Sequence, residues 1–191
     1  MRFVDEYRAP EQVMQLIAHL GERAALLTYT AKRPLRVMEV CGGHTHAIFK
    51  FGLDQLLPDN IEFIHGPGCP VCVLPMGRID TCVEIASHPE VIFCTFGDAM
   101  RVPGKNGSLL QAKARGADVR IVYSPLDALT LAKQNPQRKV VFFGLGFETT
   151  MPATAITLQQ AKLQDVSNFF FFCQHITIIP TLRSLLEEPD N

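Results

Sequence analysis

The sequence predicts an α/β fold in which small, mainly parallel sheets are flanked by helices. Short apolar runs alternate along the chain with stretches of helical periodicity, as expected where each strand is followed by a crossover helix. The runs are almost continuously apolar, which is typical of strands that are buried on both faces. Both observations favour mainly parallel sheets.

The elements follow in chain order. A first helix is predicted from Pro10 to Leu27, because Pro10 suits a first helical turn and apolar residues recur from Val13 with a 3.6-residue period. Strands are predicted at 35–40, 61–65, 91–95, 119–123, 139–143 and 169–173, and further helices at 46–57, 77–87, 108–115, 126–134 and 153–162.

A domain boundary is predicted near residue 135. Residues 1–135 would hold the N-terminal helix and a complete first α/β domain with four strands and the cysteine motifs. Residues 136–191 hold two strands and two helices, too little for an independent domain. We expect them to be the first part of a second α/β domain that is cut short.

Composition limits the function classes. The 18 basic and 19 acidic residues nearly balance, so no nucleic-acid surface is expected. No apolar run approaches the roughly 20 residues of a membrane span, and the first residues do not form a secretory signal. We therefore expect a cytoplasmic protein whose six cysteines are reduced and serve, where they matter, as metal ligands or redox thiols.

Four glycine- or cysteine-rich segments each follow a predicted strand. They are CGGHTH (41–46), GPGCPVC (66–72), FGDAMRVPG (96–104) and GLGFETT (144–150). Ligand sites of open α/β sheets form outside the carboxyl ends of the strands. We therefore expect these four segments to line one cleft.

Cys41 is the first candidate. Backbone N–H groups at a helix start stabilise a thiolate, and Gly42 and Gly43 allow a ligand to approach closely. His44 and His46 are near enough to relay protons or to act as further ligands. The alternative is a buried cysteine in a tight turn.

Cys69 and Cys72 form a C-x-x-C pair within a Gly-Pro-Gly loop. Such a pair closes a disulfide or supplies two metal ligands. A second C-x-x-C or a suitable histidine pair is absent from the sequence, so a redox dithiol is the favoured interpretation and an incidental turn the alternative. Cys82, Cys94 and Cys173 fall in apolar segments and look structural. For Cys173 a functional role stays open, because Gln174 and His175 follow it at the carboxyl end of a predicted strand.

Two acidic residues follow later strands. Asp98 either orients a substrate or accepts turn N–H bonds. Thr149 or Thr150 is expected to cap the helix near Ala153, which leaves Glu148 in the cleft. The glycines nearby lack the third glycine of a dinucleotide loop, and no G-K-[ST] occurs, so nucleotide binding is not expected.

Together these motifs resemble the HypD family of nickel–iron hydrogenase maturation factors. The matching segments are Cys41–His46, Gly66–Cys72, Phe93–Gly104 and Gly144–Thr150. The resemblance implies a cytoplasmic scaffold that works with a HypC-type chaperone. On that complex an iron ion would receive two cyanides and one carbon monoxide, giving an Fe(CN)2CO unit. HypE and HypF would deliver the cyanide-forming group, and the unit would pass to the hydrogenase large-subunit precursor.

The resemblance also implies roles for residues. Cys41 would be the iron-binding thiolate, shared with a cysteine of the chaperone, and Cys69 and Cys72 would be the redox pair. His44 and Glu148 would act in the cleft around the iron. The other residues expected to line that cleft are Gly42, Gly43, Thr45, His46, Asp98, Thr149 and Thr150.

The chain departs from the family pattern in its length. Family members are about twice as long and end in a cysteine-rich segment that binds a [4Fe–4S] cluster; that segment is absent from this sequence. The chain is therefore expected to be the N-terminal half of such a protein, without the cluster.

Two alternatives remain open. A thiol–disulfide oxidoreductase would use Cys69 and Cys72 without iron. A structural partner-binding module would need none of the cysteines. Substitution of Cys41 separates the scaffold from both.

Overall fold

The computed structural model describes residues 9–187 and confirms the α/β class. The chain divides into two compact units, Met1–Gly68 and Cys69–Asn191. Every strand pair in the described residues is parallel. None of the helices within residues 9–187 is long and apolar enough to cross a bilayer.

The first unit contains two helices and a two-stranded sheet. Its elements are α1 (Pro10–Ala24), β1 (Leu35–Glu39), α2 (Gly42–Lys50), a 3₁₀ turn (Leu53–Gln55) and β2 (Ile61–His65). The register runs from Leu35 opposite Ile61 to Glu39 opposite His65. Because the strands are parallel, the last residues of both lie side by side at one edge.

Both predicted helices of this unit differ from the expectation. The helix predicted at 10–27 ends three residues earlier, at Ala24. The helix predicted at 46–57 begins earlier, at Gly42, and ends at Lys50. Gly52 then adopts a left-handed backbone with φ 62°, which glycine tolerates and which breaks the helix before the 3₁₀ turn.

The second unit is built on a four-stranded sheet. Its elements are α3 (Pro70–Val73), α4 (Met76–Ala86), β3 (Val91–Thr95), a 3₁₀ turn (Ala99–Arg101), α5 (Leu109–Ala114), β4 (Val119–Ile121), α6 (Pro125–Gln134), β5 (Lys139–Gly146), a 3₁₀ turn (Glu148–Thr150), α7 (Met151–Leu163), β6 (Phe169–His175) and α8 (Ile179–Glu187). The strand order is β4-β3-β5-β6.

Two apolar clusters cover the two faces of this sheet. One joins α4 and α5 to Phe93 and Phe143. The other joins α6 to Ile92 and Phe142 on the opposite face, as the two-residue alternation of a strand requires. All five residues of β3 are buried, so the near-continuous apolar run has the burial that the sequence predicts.

The strand order creates a switch point between β3 and β5. The chain leaves β3 towards β4 on one side and leaves β5 towards β6 on the other. Ligands of open α/β sheets bind outside the carboxyl ends of strands at such a point. The segments 96–104 and 144–150 follow these two neighbouring strands, so the sheet brings these two of the four predicted segments to one edge.

The observed division differs from the boundary predicted near residue 135. Strands on both sides of that residue pair in one sheet, since β5 pairs directly with β3. The Asn168 side chain adds bonds to the carbonyls of Ala132, Asn135 and Arg138, which span the same position. The division at Gly68 instead falls after β2, within the loop that the sequence analysis assigned to a single site.

An ion-paired cluster, named here the amino-end clamp, holds the opposite edge of this sheet. It consists of Asp118, Arg120 and Arg138. Arg138 donates to Asp118 Oδ2 at 2.6 Å and to the Val91 carbonyl at 2.7 Å, which joins the starts of β3, β4 and β5. Hydrogen bonds from the guanidinium groups, first from Arg120, hold the pKa of Asp118 at about 2.

Candidate functional site

Cys41 lies at the junction between β1 and α2. It is the residue that precedes the first turn of α2, with φ −113° and ψ 119°, and its carbonyl accepts the Thr45 N–H at 2.9 Å. Its thiol makes no capping bond and is half-buried. A Cβ at Gly43 would lie 3.7 Å from Cys41 Sγ, so glycine leaves the space beside the sulfur open.

Glu39, the last residue of β1, fixes the geometry of this junction. Its Oε1 accepts the Cys41 N–H at 2.8 Å, and its Oε2 lies 3.2 Å from His44 Nδ1. An ionised carboxylate can only accept, so His44 Nδ1 carries the proton. When the ring carries only this proton, Nε2 keeps a free lone pair, as in histidines that bind a metal while donating their other N–H to a carboxylate.

Two further predicted residues lie on α2. Thr45 Oγ1 is 3.0 Å from Nδ1 of His65, which ends the neighbouring strand. The His65 ring also packs against Phe49, with centroids 5.0 Å apart. The side chain of His46 is exposed. The junction thus holds Cys41, His44 and Thr45 at the carboxyl edge of the first sheet.

Cys69 and Cys72 form a dithiol at the start of α3, in which Cys69 is half-buried and Cys72 is exposed. Cys69 precedes the first turn, and its sulfur accepts the Cys72 N–H at 3.3 Å. The two sulfur atoms are 2.6 Å apart and both thiols are free. Val71 and Leu74 of the same segment pack against the apolar cluster that contains Phe143. The pair is therefore placed to form a disulfide on a turn anchored to the second sheet.

The other cysteines divide into two kinds. Cys82 and Cys94 are fully buried, and burial raises the pKa of each thiol to about 12. Their predicted structural role is confirmed. Cys173 is exposed, so the same prediction is wrong for it. An apolar run in an edge strand does not bury every side chain, and Cys173 lies in β6 at the end of the strand order.

The acidic residues after β3 and β5 bind backbone amides. Asp98 Oδ1 accepts the Ala99 N–H at 2.9 Å, which is the turn role considered above. Glu148 accepts the N–H groups of Ile178 at 3.0 and 3.1 Å and of Ile179 at 3.2 Å. These bonds, first the one from Ile178, lower the pKa of Glu148. Its carboxylate caps α8, whereas the sequence predicted that Glu148 would lie in the cleft without such partners.

The predicted threonine cap is also different in the structure. Thr150 precedes the first turn of α7, but its side chain makes no capping bond. Its hydroxyl donates instead to the Phe147 carbonyl at 2.9 Å. Thr149 is exposed. No group of three or more His, Cys, Asp or Glu side chains that could hold a metal ion occurs in residues 9–187.

Glu39 is a residue of the Cys41 site that the sequence did not predict. Glu39 contacts both Cys41 and His44, and its only sequence signal is an acidic residue at the end of an apolar strand, two positions before a cysteine.

The fold and these two sites define a class of protein, a parallel α/β protein that presents a thiol and a separate dithiol on loops beside its sheets. Comparison with known proteins gives the family. The HypD model, described as the hydrogenase formation hypA family, matches residues 12–191. The chain therefore belongs to the HypD family.

Curated relatives carry the same family name. The chain is 88% identical over 191 residues to the hydrogenase maturation factor HypD of Escherichia coli (strain K12), covering all of this chain and 51% of the relative. It is 60% identical over 189 residues to the protein of that name from Rhodobacter capsulatus, covering 99% of this chain and 50% of the relative. The chain spans about half the length of these relatives.

Proposed function

We propose that this chain contributes to hydrogenase maturation as the part of a scaffold on which the Fe(CN)2CO unit is assembled. The proposal rests on family membership and on one observation, the arrangement of Cys41, Glu39 and His44. A thiolate and a neutral imidazole are suitable donors for iron(II) carrying cyanide and carbon monoxide. Iron is here the substrate, held during assembly and then passed on.

The individual residues have distinct tasks in this proposal. Cys41 supplies the thiolate, while Glu39 keeps the His44 proton on Nδ1 and leaves Nε2 free to bind iron or to accept a proton. Gly42, Gly43, Thr45 and His46 form the surrounding surface. A HypC-type chaperone would share the iron, HypE and HypF would supply the cyanide-forming group, and the large-subunit precursor would receive the product.

The dithiol has a different task. Oxidation of Cys69 and Cys72 to a disulfide would release two electrons and two protons, which ligand attachment at the iron can consume. The sulfur separation of 2.6 Å supports this step. The cysteines of the second unit do not fit a [4Fe–4S] cluster, because Cys82 and Cys94 are buried in the core and Cys173 lies on the face of the sheet opposite the dithiol.

The test is infrared spectroscopy and iron analysis of the anaerobically purified chain, co-expressed with a HypC-type partner and the cyanide-delivery proteins. We expect bands in the cyanide and carbonyl stretching regions that are lost in Cys41→Ala, with an unchanged circular dichroism spectrum. His44→Gln should weaken them, whereas His19→Gln serves as a control because His19 is exposed on α1.

Bands that persist in a folded Cys41→Ala variant would refute the site assignment. If the chain holds no iron, the parent protein and the variant without the matching cysteine are compared again in the full-length Escherichia coli relative. Bands that depend on Cys41 there would assign loading to the longer chain, and their absence there would refute the proposal.

The dithiol geometry favours a second candidate, a thiol–disulfide oxidoreductase. It would turn over a disulfide substrate without iron through Cys69 and Cys72. Reduction of a model protein disulfide by the iron-free chain, abolished in Cys72→Ser and unaffected by Cys41→Ala, would favour this activity over the scaffold.

A further inference from the structure

Three side chains from separate positions meet at the carboxyl end of β6. The exposed Cys173 has its sulfur 3.8 Å from Nδ1 of His175. His175 Nε2 lies 3.1 Å from Oγ1 of Thr150, the residue before α7. A nucleophile, a base and a group that orients the base therefore stand in a row, which is the arrangement of an activated thiol.

The hydrogen bonds fix the direction of this row. The Thr150 hydroxyl donates its proton to the Phe147 carbonyl, so its oxygen accepts from His175 Nε2–H. In the neutral ring Nδ1 is then unprotonated and faces the Cys173 thiol. The lone pair needed to remove the thiol proton thus points at the sulfur.

Packing holds the imidazole in place. The Phe171 ring lies 5.7 Å from it, centroid to centroid, and is itself packed over Gly144. A Cβ at Gly144 would overlap the Phe171 ring and lie 3.1 Å from His175 Cε1, so only glycine leaves room for both rings. Partial burial lowers the pKa of His175, which keeps the ring neutral and able to accept a proton at pH 7.

This group is separate from the dithiol. Cys173 and His175 lie on the same face of β6 as Phe171, because residues two positions apart on a strand share a face. Phe171 packs against the cluster that contains Phe142. The α3 segment packs against the cluster that contains Phe143 on the other face. The two sets of thiols are thus on opposite faces of the same sheet.

We propose that Cys173 is a nucleophilic thiol, with His175 as its general base and Thr150 as the residue that positions the base, and that it reacts with low-molecular-weight disulfides. The Cys173 proton passes to His175 Nδ1, and the thiolate attacks one sulfur of the disulfide. A new S–S bond forms to Cys173 as the old S–S bond breaks. The released thiolate takes the proton from the imidazolium and leaves as a thiol. Cys173 is thereby oxidised to a mixed disulfide while half of the small disulfide is reduced.

The test uses the 191-residue chain carrying Cys41→Ser, Cys69→Ser and Cys72→Ser, in which Cys173 is the accessible thiol because Cys82 and Cys94 are buried. Its rate of mixed-disulfide formation with oxidised glutathione is followed by intact-mass spectrometry. Because urea also exposes Cys82 and Cys94, the rates are compared per accessible thiol. We expect Cys173 in the folded chain to react about tenfold faster than the average thiol of the same chain unfolded in urea, after correction for the effect of urea on a free thiol.

Matched substitutions separate activation from exposure. His175→Gln removes the Nδ1 base and should slow the reaction about tenfold. Thr150→Val removes the acceptor that holds the His175 proton on Nε2, so Nδ1 is no longer kept unprotonated and the reaction should slow severalfold. His88→Gln, at an exposed histidine of the same unit, is the control. Equal rates per accessible thiol for the folded and unfolded chains, or an unchanged rate in His175→Gln, would overturn the proposal. If His175→Gln does not fold, an unchanged rate in Thr150→Val would overturn it.

Discussion

Glu39 connects the Cys41 backbone to the His44 ring, and this connection is the detail at the residue scale that sequence could not supply. The motif residues Cys41 and His44 are visible as a pattern of thiol, glycines and histidines. The contribution of Glu39 depends on a side-chain conformation that reaches two partners at 2.8 and 3.2 Å. Side-chain conformation is set by packing, which spacing along the chain does not encode.

Glu39→Gln is the prediction at this scale. A glutamine can turn its NH₂ group towards His44, so Nδ1 becomes an acceptor and the proton moves to Nε2. We expect long-range ¹H–¹⁵N spectra of the metal-free chain to show Nδ1–H in the parent protein and Nε2–H in the variant. Under the proposed function, iron retention in the complex with a HypC-type chaperone should fall about tenfold, in line with losses of outer-shell partners elsewhere.

The control for this substitution is Glu62→Gln. Glu62 lies on the neighbouring strand and pairs with Arg36 at 3.3 Å, away from the histidine ring. The Glu62→Gln substitution removes the same negative charge from the same sheet as Glu39→Gln does. If both variants lose iron equally, net charge and not tautomer control explains the loss.

At the scale of elements, the apolar runs predicted the six strands, and two were matched residue for residue, at Ile61–His65 and Val91–Thr95. β5 and β6 continue three and two residues further, to Gly146 and His175. Glycine and polar residues there weaken the apolar pattern, yet the parallel pairing of Gly144 with Cys173 carries the ladder on. Pairing with a neighbour overrides the local composition.

Glu148→Ala tests the cap of α8. The variant removes the acceptor of the Ile178 and Ile179 amides, so hydrogen exchange of these amides should accelerate about tenfold at pH 7. The folded pKa of Glu148 is lowered, so its contribution is present above the unfolded pKa and is lost as the pH falls through the folded pKa. The difference between the parent and the variant should therefore shrink below about pH 4.

Glu84→Ala is the matched control for the cap. Glu84 is an exposed residue of α4, and its loss should leave exchange at Ile178 unchanged. Exchange at Ile178 that is equally slow in Glu148→Ala would mean that the carboxylate adds nothing to the stability of α8.

At the scale of the whole molecule, sequence predicted parallel sheets but not their division. Strand order depends on which edges meet, and β5 pairs with β3 although β4 lies between them in the chain. That non-local choice places residues on both sides of position 135 in one sheet, and the units divide at Gly68 instead. Alternating strands and helices do indicate parallel pairing. Parallel pairing in turn places the predicted segments 96–104 and 144–150 at one edge of the sheet.

Asp118→Asn tests the amino-end clamp that joins three strands of this sheet. We expect the free energy of unfolding in urea to fall by about 1–2 kcal/mol at pH 7, because two guanidinium groups lose an ionised partner in a setting about a third exposed. The folded pKa is about 2, against 3.8 ordinarily. The stabilisation is thus present above pH 4 and should disappear as the pH falls towards 2.

Asp165→Asn is the corresponding control. Asp165 is exposed and has φ 52°, a backbone conformation that asparagine tolerates, so charge is lost without a contact. A loss of stability of the same size in this control would mean that general charge balance, and not the clamp, sets the effect.

Glu39 pairs with His65 at the ends of β1 and β2. Because Cys41 and His44 lie beside these strand ends, ligand binding at these two residues is coupled to folding of the first unit. Two-stranded sheets are marginally stable, and Ala24 and Ile48 are the buried apolar residues among positions 9–68. A ligand that binds the Cys41 thiol and the His44 ring in the folded unit, and not in the unfolded one, stabilises the folded unit by an amount that grows with the logarithm of its concentration. Amide protection along β1 would then report the fraction of molecules in which the first unit has this ligand bound.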